Sequence, residues 1–349
     1  MKVKCERNCK ESVNGFCQMS EIDILADGMC GRYNCKPEFE PFREDNVVVF
    51  DNAGLPSIMV KFTRNPDVPT HPMFIIGGKT YNTLYISKYP NTIINGRAYS
   101  LPMQKPSVNV TQEAAEAACF SKGEGWHLMT AMERGYIANL CNDTGIFPHG
   151  NTDRGKYHAD ESEQGVCFDG YQTLTGSGPA TWSHDHTVFG IHDLCGNVWE
   201  RIRGLRLMDG VLQVAKNNDA AMNIDLSARS DKWKCLLDSD GEPIRIDANN
   251  GGIKFATEDE IEEDYDGCRW KDVEFDCEIT DEMKALGLFA GEPEAYIYAD
   301  TSGERLPLCG GSWGNGSHAG VFGVDLDYPR SYSLGNLGFR SAYYCDTED

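Results

Sequence analysis

Leu308–Tyr344 reads LCGGSWGNGSHAGVFGVDLDYPRSYSLGNLGFRSAYY. Its glycines, aromatics and arginines fall into fixed-looking blocks: Gly310-Gly311-Ser312-Trp313, Ala319-Gly320-Val321-Phe322, Arg330 and Gly338-Phe339-Arg340. Scattered small or polar residues stand between the blocks. A frame that holds such positions suits binding better than catalysis. From Gly314 to Thr347 the chain also contains no Lys, Glu, Gln, Met or Trp, although it is rich in charge elsewhere.

Working outward, the nearest related pattern is Gly190–Glu200, GIHDLCGNVWE, followed by Arg201. Upstream, Asn46–Phe50 and Ser57–Phe62 are β-branched or aromatic runs separated by Asp51-Asn52-Ala53-Gly54, a hairpin signal. Thr83–Lys88 is another short strand. Helix formers run through Glu113–Ala118 after Thr111, which predicts a first helix. Thr130 and Glu133 form a capping box ahead of Tyr136, Ile137 and Leu140, which predicts a second. Beyond Asn142 periodic runs are few. Strands, two helices and a long irregular body make an α+β fold.

The frame GNVWE, GGSW and GFR resembles that of the variable proteins of diversity-generating retroelements, which share a C-type-lectin-like fold with formylglycine-generating enzymes and sulfatase-modifying-factor domains. The resemblance spans about Val47–Tyr344; the final Trp of the family's GNVWEW is Arg201 here. It implies a C-type-lectin-like domain over 43–349 preceded by a cysteine-rich module at 1–42. Within the domain, about 206–306 reads as an acidic insertion and about 310–344 as the variable region. In such systems an error-prone reverse transcriptase turns AAY codons into NNY codons, which cannot encode Lys, Glu, Gln, Met or Trp. The resemblance thus accounts for their absence after Trp313. It implies buried frame residues, with Trp199 and Trp313 as core aromatics, and an exposed ligand surface at Gly314, Asn315, Ser317, His318, Gly323, Asp325, Asp327, Tyr328, Tyr332, Leu334, Gly335 and Asn336. Tyr328 and Tyr332 are the strongest anchors, because Tyr offers large contact area at low entropic cost.

Enzymatic readings lack their parts. The formylglycine-generating enzymes carry a copper-binding Cys pair after GGS, and the matching stretch Trp313–Gly320 has no Cys. GxSxG, HExxH and phosphate-loop motifs are absent. His184 and His186 share a face if their segment is extended, a pair that could ligate a metal but whose commoner role is structural or at the surface. In the resembled family the GNVWE region holds structural calcium, and the matching positions are Asp193, Gly196, Val198 and Glu200. The expectation is a protein that catalyses nothing and requires no cofactor, with calcium at these positions and zinc at the N-terminus as the two structural ions to consider.

A formal net charge of −22 argues against nucleic-acid binding through phosphate neutralisation and against docking on anionic membranes. A protein or glycan ligand on a target cell is the expected partner, with a homo-oligomer as the assembly to consider. No stretch approaches the roughly twenty apolar residues that span a bilayer, and no secretory apolar run opens the chain. These features fit synthesis in the cytoplasm and a final place on a phage tail or a cell surface. Cys5, Cys9, Cys17, Cys30 and Cys35 crowd the first thirty-five residues, a segment too short to hold itself by apolar burial. Zinc on Cys5, Cys9, Cys17 and Cys30, disulfides, or free thiols remain open alternatives.

Overall fold

In the computed structural model the three parts of the sequence frame lie side by side. The Trp199–Arg201 strand pairs antiparallel with Leu308–Cys309, placing Glu200 opposite Cys309, and parallel with Leu337–Phe339, placing Glu200 opposite Gly338. These strands belong to a six-stranded sheet in the order Tyr265–Arg269, Tyr296–Asp300, Val324–Leu326, Leu308–Cys309, Trp199–Arg201, Leu337–Phe339. The structure describes residues 46–248, 252–258 and 264–345, with the backbone of Ser12–Val13 and Phe16–Cys17. The chain divides into two units, Met1–Glu44 and Asp45–Asp349. Of the first, the described strands Ser12–Val13 and Phe16–Cys17 pair antiparallel. The linker expected at 37–41 and the side chains of Cys5, Cys9, Cys17 and Cys30 lie outside the described residues.

A five-stranded sheet runs Trp126–Leu128, Ser341–Tyr344, Thr83–Ser87, Pro56–Thr63, Asn46–Phe50. Its outer hairpin turns on Asp51, whose Oδ1 accepts from Ala53 N and Leu55 N, both at 2.9 Å. Helix α1, Gln112–Phe120, starts where Thr111 Oγ1 accepts from Ala114 N. Helix α2, Ala131–Thr144, has the predicted box: Thr130 Oγ1 accepts from Glu133 N, and Glu133 Oε2 accepts from Thr130 N. A short α3, Asp281–Leu286, was not foreseen. It lies so close to α2 that a Cβ on Gly135 would sit 2.1 Å from Ala285 O. The result is a β-rich, loop-rich α+β fold with few helices.

The segment read as an acidic insertion, 206–306, is woven into this unit. It supplies most of a seven-stranded sheet, including Leu205–Met208, Val211–Val214, Arg245–Ala248 and Ile253–Ala256. Leu207, Leu212, Ile246 and Phe255 are fully buried in the same apolar cluster as Ile86, Ile137 and Leu326. Buried apolar residues alternate with partly exposed ones along Val211–Val214 and Arg245–Ala248, which gives the acidic segment a face for the core. Residues 259–263 are outside the described residues.

Candidate functional site

The last segment is held down by close backbone contact. Gly310 and Gly311 have φ of +95° and +83°; a Cβ on the first would meet Leu194 O at 2.5 Å, and on the second Ala319 Cβ at 2.5 Å. Both positions therefore need glycine. Gly310 O accepts from Gly196 N at 3.0 Å and from Gly320 N at 3.2 Å, so GNVWE and the Ala319–Phe322 block share one carbonyl.

Arg340 fixes the other end. Its guanidinium is wholly buried and donates to both oxygens of Glu200, at 2.5 and 2.6 Å, and to Ser87 O and His192 O at 3.0 Å. This bears on calcium. Arg340 already supplies the positive charge that Glu200 needs, so the Glu200 end of the expected set does not fit a second cation. Asp193 Oδ2 accepts from Gly176 N at 2.7 Å, and burial pushes its carboxyl up to about 6. Gly196 and Val198 are buried in the same motif. Among the described residues no three His, Cys, Asp or Glu side chains gather as a metal-holding group. His184 and His186 take different partners: His184 Nδ1 accepts from Ile191 N, and His186 Nε2 lies 2.8 Å from Phe147 O.

Arg201, which follows GNVWE, donates from Nε to Val110 O at 3.0 Å and from Nη2 to Tyr332 O. Arg330 grips Glu304 through two hydrogen bonds of 2.7 Å. Two buried or half-buried arginines thus pin the loop that carries Tyr328 and Tyr332.

The expected surface residues divide. Gly314, Ser317, Leu334 and Gly335 are exposed; Asn315, His318, Asp327, Tyr328, Tyr332 and Asn336 are half-buried. Gly323 and Asp325 correct the expectation, because both are buried. Gly323 is closed in by Gly310 N on its carbonyl and Gly320 O on its amide. Asp325 lies in the Val324–Leu326 strand between two neighbours, only 6% exposed. Asn315 also serves the frame, since its Oδ1 accepts from Ser312 N and Ser312 Oγ. Trp199 is a core residue, whereas Trp313 is half-buried against Tyr171, ring centroids 4.7 Å apart.

The rest forms one aromatic and acidic patch. Tyr298 is opposite Asp325 in the parallel strand pair, and its hydroxyl lies 2.9 Å from His318 Nδ1. His318 stacks on Tyr296 with centroids 3.6 Å apart. Tyr328 stacks on Tyr332 at 4.0 Å, and Tyr298, Tyr328 and Tyr332 pack on Trp199, Leu308 and Leu337. Asp325 Oδ1 accepts from Asp327 N at 3.0 Å. Burial raises both carboxyls above the usual carboxylate range, and the Asp325 charge pushes Asp327 further up. Burial and these carboxylates also raise Tyr265, Tyr298 and Tyr328.

Tyr265, Tyr296 and Tyr298 were missed because they lie in the acidic segment. The signal was available: in Tyr296-Ile297-Tyr298-Ala299-Asp300 the tyrosines alternate with small or apolar residues, which places them on one strand face.

No family model matches the chain, and no curated protein matches it. Among solved structures, that of PvdO from Pseudomonas aeruginosa overlaps 87% of this chain and 100% of its own at 16% identity, with a TM-score of 0.37. An overlap that distant leaves fold and site to be argued from the residues.

Proposed function

We propose that this protein is a non-catalytic binder of C-type-lectin-like fold whose last segment, about Gly310–Tyr344, presents a diversifiable ligand surface. One observation carries the reading: the frame and the positions between it divide largely by burial. Gly310, Gly311, Ala319, Gly320, Val321, Phe322, Gly338, Phe339 and Arg340 are buried, while ten of the twelve intervening candidates reach the surface. The same stretch lacks the residues that NNY codons cannot encode. Rigid backbone contacts among the frame residues permit change at the exposed positions, because those side chains carry little of the packing. The ligand is a protein or glycan on a target cell, and the binder sits on a phage tail or a cell surface.

Sequencing several kilobases around the gene tests this reading. The expected result is a near-copy of the codons for Gly310–Arg340 that differs almost only at adenines, beside a reverse transcriptase gene. If neither element is present, the diversified surface is abandoned, and a fixed binding module or an oxygen-using metalloenzyme of the same fold replaces it.

A further inference from the structure

We infer that the cleft between helix α1 and the Arg203 loop takes the primary hydroxyl of a neutral sugar residue. The inference rests on the binder reading only in narrowing its ligand to a glycan, since none of the candidate surface positions lines this cleft.

The first observation is the cavity. About 200 Å³ of half-open cleft, its mouth included, lies between Gln112 and Glu116 of α1 and the stretch 202–205 that follows the GNVWE strand. Leu226, Trp233, Leu306 and Arg330 close its other sides, and its floor has room for a group about the size of a water molecule. The second observation is independent of shape. Gln112 is 2% exposed, and its Oε1 accepts from no donor. Turning the amide does not relieve this, because Nε2 already donates to two acceptors, Glu116 Oε1 at 2.9 Å and Ile202 O at 3.2 Å. Oε1 is therefore the atom left for an occupant. A buried acceptor without a donor costs free energy, and a ligand that donates to it recovers that cost.

The walls select the kind of donor. Arg203 gives Nη1 and Nη2 to the carbonyls of Ala220, Met222 and Ile224 and holds Nε 3.1 Å from Glu116 Oε2. Arg330 is engaged with Glu304, Glu113 and Leu226 O. Two guanidiniums and one carboxylate line the cleft, so an organic cation is disfavoured. An anion would set its charge against the Gln112 oxygen, whose unmet need is a donor. A neutral hydroxyl supplies that donor. Its carbon body lies on Leu226, Leu306 and Trp233, apolar walls of the sort that small-molecule sites use. A serine of a polypeptide offers the same hydroxyl but brings backbone amides and carbonyls that must each be met, whereas every hydroxyl of a sugar serves as donor or acceptor.

NMR titration of the full chain, followed at the Trp233 indole N–H and the Gln112 side-chain amide, tests the inference. The probes are methyl glucoside, galactoside and mannoside, each against its 6-deoxy counterpart, which lacks only the primary hydroxyl. At least one sugar is expected to shift both signals and to bind about fivefold or more tighter than its 6-deoxy form. Gln112→Leu removes the acceptor and is followed at Trp233; Trp233→Ala removes a wall and is followed at Gln112. Each should weaken binding about fivefold or more. Should Gln112→Leu fail to fold, Trp233→Ala, a change at a half-buried loop residue, carries the test. N-acetylserine methylamide, the polypeptide source of the same hydroxyl, should bind more weakly than the sugar. No shift of either signal up to about 50 mM sugar means that the cleft holds water alone and overturns the inference. Equal binding of a sugar and its 6-deoxy form, binding unchanged in both variants, or tighter binding of the serine compound overturns it as well. Sugar binding beside a gene without the adenine-differing copy removes the diversification alone. No sugar binding beside a gene that carries the copy removes this subsite alone.

Discussion

Glu200 and Asp325 stand on two strands of the same sheet, separated by only the Leu308–Cys309 strand, and both are nearly inaccessible. Their surroundings are opposite. Glu200 meets a guanidinium that uses its remaining donors on the Ser87 and His192 carbonyls. Asp325 meets another carboxyl and a ring of tyrosine hydroxyls. A buried carboxylate with a matched cation specifies a geometry, and one without takes up a proton more readily. The same sheet thus contains a completed electrostatic site, Glu200 with Arg340, and an incomplete one, the Asp325 and Asp327 pair, which lacks a matched cation.

Removing the cation from the completed site should have the largest effect. Arg340→Met leaves Glu200 charged and buried with no counter-ion, so urea unfolding should show a loss of about 3–5 kcal/mol. Adding Glu200→Gln to Arg340→Met should recover part of it, because the uncompensated charge is gone. A loss below about 1 kcal/mol in the single variant would mean that Arg340 is not the counter-charge that organises the sheet.

The incomplete site should answer to pH. Both Asp carboxyls sit above the usual range in the folded protein, first through burial and, for Asp327, through its neighbour's charge. The folded state then holds protons that the unfolded chain has released. This contribution to stability is full below the unfolded carboxylate pKa of about 4 and is lost as pH rises toward and through neutrality. Asp193 and Glu292, raised by burial to about 6 and about 7, tilt stability the same way. The informative quantity is therefore the difference between parent and Asp327→Asn, which should flatten the decline and gain on the order of 1 kcal/mol near pH 8. Unfolding curves at pH 5 and pH 8 measure it, and parallel declines would remove Asp327 from the explanation.

How much of this was visible beforehand follows from what each residue does locally. The hairpin at Asp51 and the capping box at Thr130 are short-range devices, and the residues that build them adjoin in sequence. The convergence of GNVWE, GGSW and GFR was legible only through their resemblance to a known frame, since Glu200 and Arg340 are 140 residues apart. Burial of Asp325 was not legible, because an alternating Val-Asp-Leu-Asp run reads as half-exposed until strands flank it on both sides. The role of Asn315 was hidden for a related reason: in composition a side chain that holds Ser312 looks the same as one facing a ligand.

Leu334 and Ser317 supply the smallest effect and the finest test of the comparison. Leu334 is 47% exposed, and what the fold takes from it is its carbonyl, which accepts from Asn109 N and Leu337 N. Replacing the side chain leaves both bonds in place. Ser317 occupies the exposed middle of the Gly316–His318 turn. Leu334→Asn and Ser317→Tyr, two changes that NNY codons permit, should each shift stability by less than about 0.5 kcal/mol. Asn315→Ala, at an apparently equivalent position, should cost about 1 kcal/mol or more because it strips Ser312 of its acceptor. Thermal melts of the three variants rank them. If Leu334→Asn costs as much as Asn315→Ala, the line between frame and surface runs elsewhere, and a scaffold that tolerates change at its ligand face is not what this sheet provides.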